Sequence, residues 1–436
     1  MTQITTTRTR IGVGFILLLS ALTAIGPLTF DTYLAAFPSL AADLGASRAM
    51  VQFTLTASLA GLAAGQLLIG SLSDAYGRRR PLLGALAIYV VTSVSIIFVT
   101  SIGALTALRF VQGFMAAAGM VLSMAIIRDN YSGIAVSKAM ARLMLVVGVA
   151  PVLAPTIGAQ LLRFGSWRMI FGFLATVGAL LFVLAATRLK ESLPVEERRT
   201  GGTGAALRTY RDLLFDRPFL GLALLSAFYM AALFTYVASS TFVFQQGFGL
   251  NAQQFGFVFA GGAVSITVAS QLYGALVGRF QPEQILTAAI GVGLVLSTAL
   301  LVVALAGGGV VPITALVVLT LGTAGFVMPS APAIALATNP HRAGSAAALL
   351  GALQFGIGAL VAPLTGLLGG NAAISMAALM FAAIAVSAVL LAGVSRAWRR
   401  QTRAADRALA PAPDVAAELD LRLTPARADA EVCART

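Results

Sequence analysis

The chain has 436 residues, of which 58% are hydrophobic and only 10% are charged. Because soluble domains carry about 25% charged residues, this composition excludes an ordinary soluble domain and indicates an integral membrane protein. The net charge of +13 does not indicate a nucleic-acid partner, since the basic residues are spread over short loops and a tail, which fits contact with anionic lipids. The single cysteine, Cys433, and the single histidine, His341, exclude an intramolecular disulfide and a histidine-based metal site.

Twelve apolar segments have about the 20 residues that a membrane-spanning helix needs. The first follows Arg8 and Arg10. Its apolar stretch of about 30 residues is longer than the 7–15 residues of a signal-peptide core, so we predict a membrane helix that is not cleaved. The predicted segments are 11–38, 50–72, 81–99, 102–127, 142–162, 168–187, 219–243, 255–277, 284–306, 311–336, 343–367 and 372–394.

A polar, basic stretch at 188–217 divides these segments into six plus six. We therefore predict an all-α integral membrane fold of two pseudo-symmetric six-helix bundles. The predicted domains are an N-terminal bundle (1–187), a cytoplasmic linker (188–217), a C-terminal bundle (218–395) and a disordered or weakly helical cytoplasmic tail (396–436).

Two short repeats support the pseudo-symmetry. Gly70-Ser-Leu72 and Gly274-Ala-Leu276 close segments two and eight, and Ala-Pro-x-x-Gly recurs at 154–158 and 362–366. They pair segment two with eight and segment five with eleven, as two parallel halves require.

The turn Gly70–Arg80 lies between two uncharged apolar runs and carries three consecutive arginines. The positive-inside rule places such a turn in the cytoplasm. With this orientation, 25 of the 29 Lys and Arg residues fall on the cytoplasmic side and 3 on the other. Both termini are therefore predicted to be cytoplasmic.

Two charged residues lie well inside the predicted membrane segments, Asp31 and Arg109. Each lies about 7 residues, or roughly 10 Å, from the outer end of its helix. Charge at such depth is costly and usually functional. We predict an ion pair or a water-linked pair in which Asp31 gains and loses a proton; the alternative is a purely structural pair between two helices.

The second half is nearly uncharged, and its candidate cavity residues are polar or aromatic side chains on membrane segments. A cavity of this composition suits a lipophilic ligand better than a sugar. The predicted cavity residues are Tyr33 and Gln112 in the first half and Phe228, Tyr229, Tyr236 and Gln354 in the second.

Segment five contains Gly148, Pro151, Pro155 and Gly158. The prolines remove backbone donors and the glycines allow close helix packing. These residues indicate either a bendable helix at the interface between the halves or ordinary membrane-helix packing.

These motifs resemble the major facilitator superfamily over the whole chain except the tail. Gly70-Ser-Leu-Ser-Asp74-Ala-Tyr-Gly77-Arg78-Arg79 resembles its loop motif between helices two and three, and Leu105–Gly113 its helix-four motif of proton coupling. The run 148–158 resembles the helix-five motif of antiporters, with Ala150 in place of an expected glycine. Pro27–Leu34 and Ile127–Tyr131 are similar to the bicyclomycin-resistance (Bcr/CflA) subfamily of drug:proton antiporters.

The resemblance implies export of lipophilic drugs in exchange for protons, with Asp31 and Arg109 as the coupling residues. It also implies a conformational latch, which we define as Gly70, Asp74, Gly77, Arg78 and Asp129. Two positions depart from the family pattern. Ala75 replaces a basic residue, and Gly278 occupies the place that corresponds to Asp74 in the second half.

We therefore predict a monomeric multidrug antiporter of the bacterial inner membrane, whose partners are drug-like molecules, protons and lipids. No cofactor is expected, because the chain lacks a GxxxxGK[ST] phosphate loop and the proton gradient would supply the energy. The first alternative is a proton symporter that imports a metabolite. A membrane enzyme or scaffold is disfavoured, since one histidine, one cysteine and one deep carboxylate form no catalytic group.

Overall fold

The computed structural model describes residues 12–131, 134–198, 202–368 and 370–409. Each of the twelve predicted segments is helical in these ranges, which confirms the predicted all-α fold; segment 11–38 extends over α1 and the start of α2, and segment 343–367 over α13 and α14. The long helices are joined by short turns, and a π-helical turn, Phe242–Gly247, continues α9. The α-helices are α1 (Val13–Asp31), α2 (Phe37–Asp43), α3 (Arg48–Tyr76), α4 (Arg79–Ile97), α5 (Ile102–Asn130), α6 (Ile134–Phe164), α7 (Arg168–Arg188), α8 (Gly202–Phe215), α9 (Arg217–Thr241), α10 (Ala252–Leu276), α11 (Pro282–Leu305), α12 (Val310–Ala337), α13 (Ala343–Val361), α14 (Leu364–Leu368) and α15 (Ala372–Leu409).

Most of these helices satisfy the requirements of a lipid bilayer. Within the described residues, 11 segments are long and apolar enough to cross a membrane. Helices of this kind satisfy their backbone polar groups internally, as the absence of water in lipid demands. The predicted segment 142–162 lies within α6, a helix of 31 residues that contains Pro151 and Pro155.

The two halves repeat one packing arrangement. In the first half α3 packs against α5, and α1 packs against α5 and α6; in the second half α10 packs against α12, and α9 against α12 and α13. Two further contacts join the halves, α6 with α10 and α3 with α13, and these two are related by the same repeat. The predicted pseudo-symmetry of two six-helix bundles is thus present in the packing.

Local chemistry fixes where several helices begin and how closely they cross. The Ser47 and Ser101 side chains accept hydrogen bonds from the backbone N–H groups of Met50 and Ala104 at the starts of α3 and α5. Such caps satisfy N–H groups that a helix leaves unpaired. Where α3 and α5 cross, a Cβ atom on Gly113 would lie only 2.0 Å from the Ser58 carbonyl oxygen, so only glycine permits this approach.

The chain forms two compact units, Met1–Leu390 and Leu391–Thr436. The packing between the two halves lies in the first unit. The predicted linker 188–217 contains the helix α8, which packs against α3, α9 and α13 and so contacts both halves. In the predicted tail 396–436, α15 continues to Leu409, and residues 410–436 lie outside the described residues.

Candidate functional site

Arg109 is fully buried in the first half, where α1, α4, α5 and α7 meet. Its Nη1 donates to Gln112 Oε1 at 2.6 Å, and its Nη2 donates to the Thr29 carbonyl oxygen at 3.1 Å. The guanidinium Cζ lies 4.1 Å from the centre of the Tyr33 ring, a favourable cation–π geometry. Neutral acceptors and an aromatic face therefore hold this charge.

The predicted direct ion pair between Asp31 and Arg109 is wrong for this structure. Among the described residues, no carboxylate lies within 4.0 Å of the Arg109 guanidinium. The physical reason is that Tyr33, Thr29 and Gln112 occupy the space around the guanidinium. The water-linked alternative and the coupling role of both residues stay predictions.

The Arg109 network extends to α4 through two hydrogen bonds. Gln112 Nε2 donates to Ser93 Oγ at 2.7 Å, and the Tyr89 hydroxyl bonds to Thr29 Oγ1 at 2.7 Å. Gln112 and Tyr33, which we predicted to line a cavity, are both fully buried in this network. They orient Arg109 in this conformation.

Asp31 is the last residue of α1 and is only 7% exposed. Its carboxyl group makes no hydrogen bond and no ion pair with any described residue. A buried carboxyl at the C-terminal end of a helix has an unfavourable interaction with the helix dipole when it is charged. The group is therefore available to bind a proton or a donor from a ligand.

The two predicted cavity tyrosines of α9 have different surroundings. The Tyr229 hydroxyl bonds to Thr323 Oγ1 at 2.5 Å, which directs the side chain into the second half. The Tyr236 hydroxyl is buried without any hydrogen-bond partner among the described residues, and its ring stacks on Phe259 at 5.5 Å. Phe228 and Gln354 are half-buried, and their contact with a ligand stays a prediction.

At the end predicted to face outward, hydrogen bonds join the two halves. Gln52 Nε2 of α3 donates to the Ala238 carbonyl oxygen at 3.1 Å and to Thr365 Oγ1 at 2.9 Å. Thr241 Oγ1 donates to the Leu34 carbonyl oxygen at 3.0 Å. The halves are therefore closed against each other at this end.

The Asp74, Arg78 and Asp129 side chains of the latch form the predicted charge cluster. Arg78 Nη1 contacts Asp74 Oδ1 at 2.5 Å, and Arg78 Nε contacts Asp129 Oδ2 at 3.0 Å. Burial lowers the pKa of Arg78, but the two carboxylates outweigh it and raise the pKa overall. Gly70 lies on α3, as Asp74 does, and a Cβ atom added at Gly70 would lie 3.6 Å from the Val121 side chain.

Glu191, just after α7, completes the cluster, and the sequence pattern did not indicate it. Its carboxylate accepts the backbone N–H groups of Arg78 at 2.7 Å and Arg79 at 3.2 Å, at the start of α4. Burial would raise the pKa of Glu191, but these bonds and those from Leu193 and Ser192 lower it overall. Gly77, at φ +89°, is the C-cap of α3, and a Cβ there would lie 2.5 Å from Glu191 Oε2.

The glycines of the helix-five motif provide two kinds of contact. Thr267 Oγ1 of α10 donates to the Ala263 carbonyl oxygen of its own helix at 2.9 Å and lies 3.4 Å from the Gly148 carbonyl oxygen, which places this glycine at the interface between the halves. A Cβ on Gly158 would lie 1.8 Å from the Thr32 carbonyl oxygen, directly after Asp31. The motif thus packs α6 against both the second half and the end of α1.

Sequence reasoning named Asp74, Asp129 and Gln112 but missed the other polar residues of the two arginine networks. Tyr89 and Ser93 are four residues apart on α4, and this spacing could have indicated a polar face. Thr29, Glu191 and Ser192, whose hydroxyl donates to Asp129 Oδ2 at 2.8 Å, gave no comparable signal, because their roles depend on which helix ends meet.

A polytopic helical protein with two repeated halves and charged residues at helix ends has the architecture of a secondary transporter. Residues 19–363 match the Major Facilitator Superfamily model, and the chain belongs to that superfamily. It is 37% identical to the uncharacterized MFS-type transporter YdgK of Bacillus subtilis, over 90% of this chain and 97% of that protein. It is 32% identical to a bicyclomycin resistance protein homolog of Haemophilus influenzae, over 86% of this chain and 94% of that protein. The resemblance noted from the motifs is confirmed.

A solved structure of a bacterial homolog of the human lysosomal transporter Spinster, in an inward-facing and occupied conformation, has the same fold. The TM-score is 0.68, with 87% of this chain and 96% of that chain covered, at 15% identity. At this identity the similarity concerns the fold alone.

Proposed function

We propose that this transporter exports lipophilic, drug-like molecules in exchange for protons. The observation that carries the proposal is Asp31, a buried carboxyl without a donor or counter-ion in the described structure. Intramembrane acids are costly and usually take part in transport or proton transfer. The similarity to a bicyclomycin resistance protein homolog supports the direction and the substrate class.

In the proposed cycle, Asp31 binds either a proton or a donor group of the drug. A proton that enters from outside neutralises the carboxyl and favours release of the drug. Loss of that proton toward the cytoplasm restores affinity for the next drug molecule. Arg109 stays fixed by Gln112 and Thr29 and supplies a constant positive field near the site.

Alternating access requires the contacts at the outer end to break and reform. The hydrogen bonds of Gln52 to Ala238 and Thr365 hold that end closed here. We propose that the drug then enters from the cytoplasmic side or the inner leaflet. The protein would act as a monomer in the bacterial inner membrane, with both termini cytoplasmic and no cofactor.

The experiment that tests this function is dye efflux from proteoliposomes with an imposed proton gradient. Wild-type protein is expected to move ethidium, a lipophilic cation, against its gradient, and an uncoupler is expected to abolish the movement. Asp31→Asn is expected to reduce gradient-driven efflux by about 100-fold or more, because an amide cannot exchange a proton.

The control is the melting temperature of Asp31→Asn, which should stay close to wild type because the substitution is nearly isosteric. Undiminished gradient-driven efflux by a folded Asp31→Asn protein would exclude Asp31 as the proton carrier. Gradient-driven uptake of a metabolite without dye efflux would favour the symporter alternative.

A further inference from the structure

Asp31 and Tyr236 are two buried polar groups without partners, and they lie on opposite halves of the transporter. Asp31 ends α1 in the first half, and Tyr236 lies on α9 in the second. They are 7% and 2% exposed. Buried polar side chains normally have hydrogen-bond partners, so an unpaired group on each side of one interface needs an explanation.

The chain geometry places the two groups near each other. Three residues after Asp31, the Leu34 carbonyl oxygen accepts a hydrogen bond from Thr241, which lies five residues after Tyr236. The turn Leu34–Ala36, which follows Asp31, also packs against α9. No direct hydrogen bond joins the Asp31 carboxyl and the Tyr236 hydroxyl in this conformation, so a small change in the approach of α9 to α1 would be needed to form one.

The other charged and titratable groups near Asp31 do not substitute for Tyr236. Arg109 on α5 is bonded to Gln112 and Thr29, and the Tyr33 hydroxyl bonds to Thr54 at 3.2 Å. Tyr89 on α4 is bonded to Thr29. Helices α6 and α7, which also pack against α1, carry their charged residues near their ends: Lys138, Arg142, Arg163, Arg168 and Arg188.

We infer that Tyr236 is the positioning residue that couples Asp31 to the second half. Its hydroxyl donates a hydrogen bond to the charged Asp31 carboxylate when the halves close around an empty site. A proton or a ligand donor on Asp31 replaces that bond and frees α9 to move. This inference rests on the proposed function, since it assigns to Tyr236 the link between protonation and rearrangement.

Tyr229 provides a matched control on the same helix. It lies seven residues before Tyr236, is equally buried, and its hydroxyl bonds to Thr323 within the second half. Removing its hydroxyl deletes a buried oxygen of the same kind without touching Asp31. Phenylalanine at either position keeps the ring and its packing.

The test measures the protonation of Asp31 directly. Dicyclohexylcarbodiimide reacts with a protonated carboxyl in an apolar setting, and mass spectrometry of the purified protein would report labelling of Asp31 between pH 5 and pH 10. Asp31→Asn supplies the blank. A hydrogen bond to a charged group stabilises the charged form, so Tyr236→Phe should move the midpoint of labelling upward by about 1 pH unit. Tyr229→Phe should leave the midpoint at the wild-type value.

An unchanged midpoint in Tyr236→Phe would overturn the inference, and so would equal shifts in the two variants, because these would indicate a general packing effect. The labelling does not require transport, so an inactive variant still gives a result. Failure of the proposed function has a different outcome: wild-type protein would then lack proton-driven ethidium efflux, whatever the labelling midpoints.

Discussion

Two buried arginines of the first half hold their charges in different ways. Arg78, at the end of the membrane region, contacts the carboxylates of Asp74 and Asp129. Arg109, inside the helix bundle, contacts no carboxylate in the described structure and is bonded to an amide and a backbone carbonyl. The charge of Arg78 is neutralised by the carboxylates of its cluster, whereas the charge of Arg109 produces a net positive field in a region of low dielectric.

This difference indicates which arginine has a structural role and which can influence transport. At the membrane boundary, water and salt weaken the field of a neutralised pair. Inside the bundle, the field of Arg109 acts on any nearby group that changes charge. Asp31 is the one acidic residue of the predicted membrane interior, so its proton exchange would be sensitive to the exact position of Arg109.

The strongest test of this comparison is the same substitution at both arginines. Lysine keeps the charge but loses the planar fork and the stacking on an aromatic ring. Arg109→Lys cannot reach Gln112 and the Thr29 carbonyl together and should lower ethidium efflux by about 30-fold or more. Arg78→Lys can still pair with Asp74 or Asp129 and should lower efflux by about 3-fold or less.

Efflux rates must be normalised to the amount of folded protein in the vesicles. A similar loss of efflux in both variants, at equal folding, would contradict the distinction between a neutralised and an uncompensated charge. A lysine at position 109 that supports normal efflux would show that the charge alone suffices and that its orientation is unimportant.

A smaller effect is expected at the turn that carries Arg78, where two glycines can be compared. Gly77 and Gly278 occupy matching turns of the two halves and both have positive φ, +89° and +100°. Alanine strains both turns by about 1–3 kcal/mol. A Cβ at Gly77 also meets the Glu191 carboxylate, while a Cβ at Gly278 meets no atom within 4 Å.

Gly77→Ala should therefore lower the apparent melting temperature in detergent by about 2–4 °C more than Gly278→Ala does. The comparison removes the shared backbone strain and leaves the contact with Glu191. Equal melting temperatures for the two variants would mean that Glu191 moves aside without loss, and that the two halves depend equally on these turns.

The sequence predicted the elements whose cause is local. Twelve apolar stretches predicted twelve helices, because the thickness of the bilayer sets how many consecutive apolar residues a spanning helix needs. The cluster of Arg78 with Asp74 and Asp129 was expected from the resemblance of this turn to the family's loop motif. Asp74 lies in the last turn of α3 and Arg78 directly precedes α4, so the short turn brings them together. Charge and depth also identified Asp31 and Arg109 as the unusual residues of the membrane interior.

The sequence could not predict which partners these residues contact. The sequence indicated that Asp31 and Arg109 lie at the same depth, but it did not determine how each helix is rotated about its axis. In the structure, the rotation places Gln112 and Tyr33 next to the Arg109 guanidinium, and Asp31 does not contact it. Likewise, Glu191 meets Arg78 only because the end of α7 returns to the start of α4. Contacts of this kind depend on tertiary packing and produce no periodic pattern in the sequence.

The smallest predicted effect concerns Glu191 and depends on pH. Its carboxylate lies at the N-terminus of α4, where a negative charge is stabilised by about 0.3–1 kcal/mol at exposed sites. Folding lowers the pKa of Glu191, so the charged carboxylate stabilises the folded protein at pH values above its ordinary pKa of 4.5. This stabilisation is lost as the pH falls below that value and the carboxylate is protonated. Glu191→Gln should lower the melting temperature by about 1–2 °C at pH 7, with the difference shrinking toward pH 4.

Glu196→Gln is the matched control, because that side chain is exposed and makes no hydrogen bond or ion pair with the described residues. High salt should also reduce the difference at pH 7, since the carboxylate is partly exposed and its charge is screened. A pH-independent difference between wild type and Glu191→Gln would assign the role of Glu191 to the hydrogen-bond geometry of its side chain. The charge at the start of α4 would then contribute nothing to holding Arg78 in its cluster.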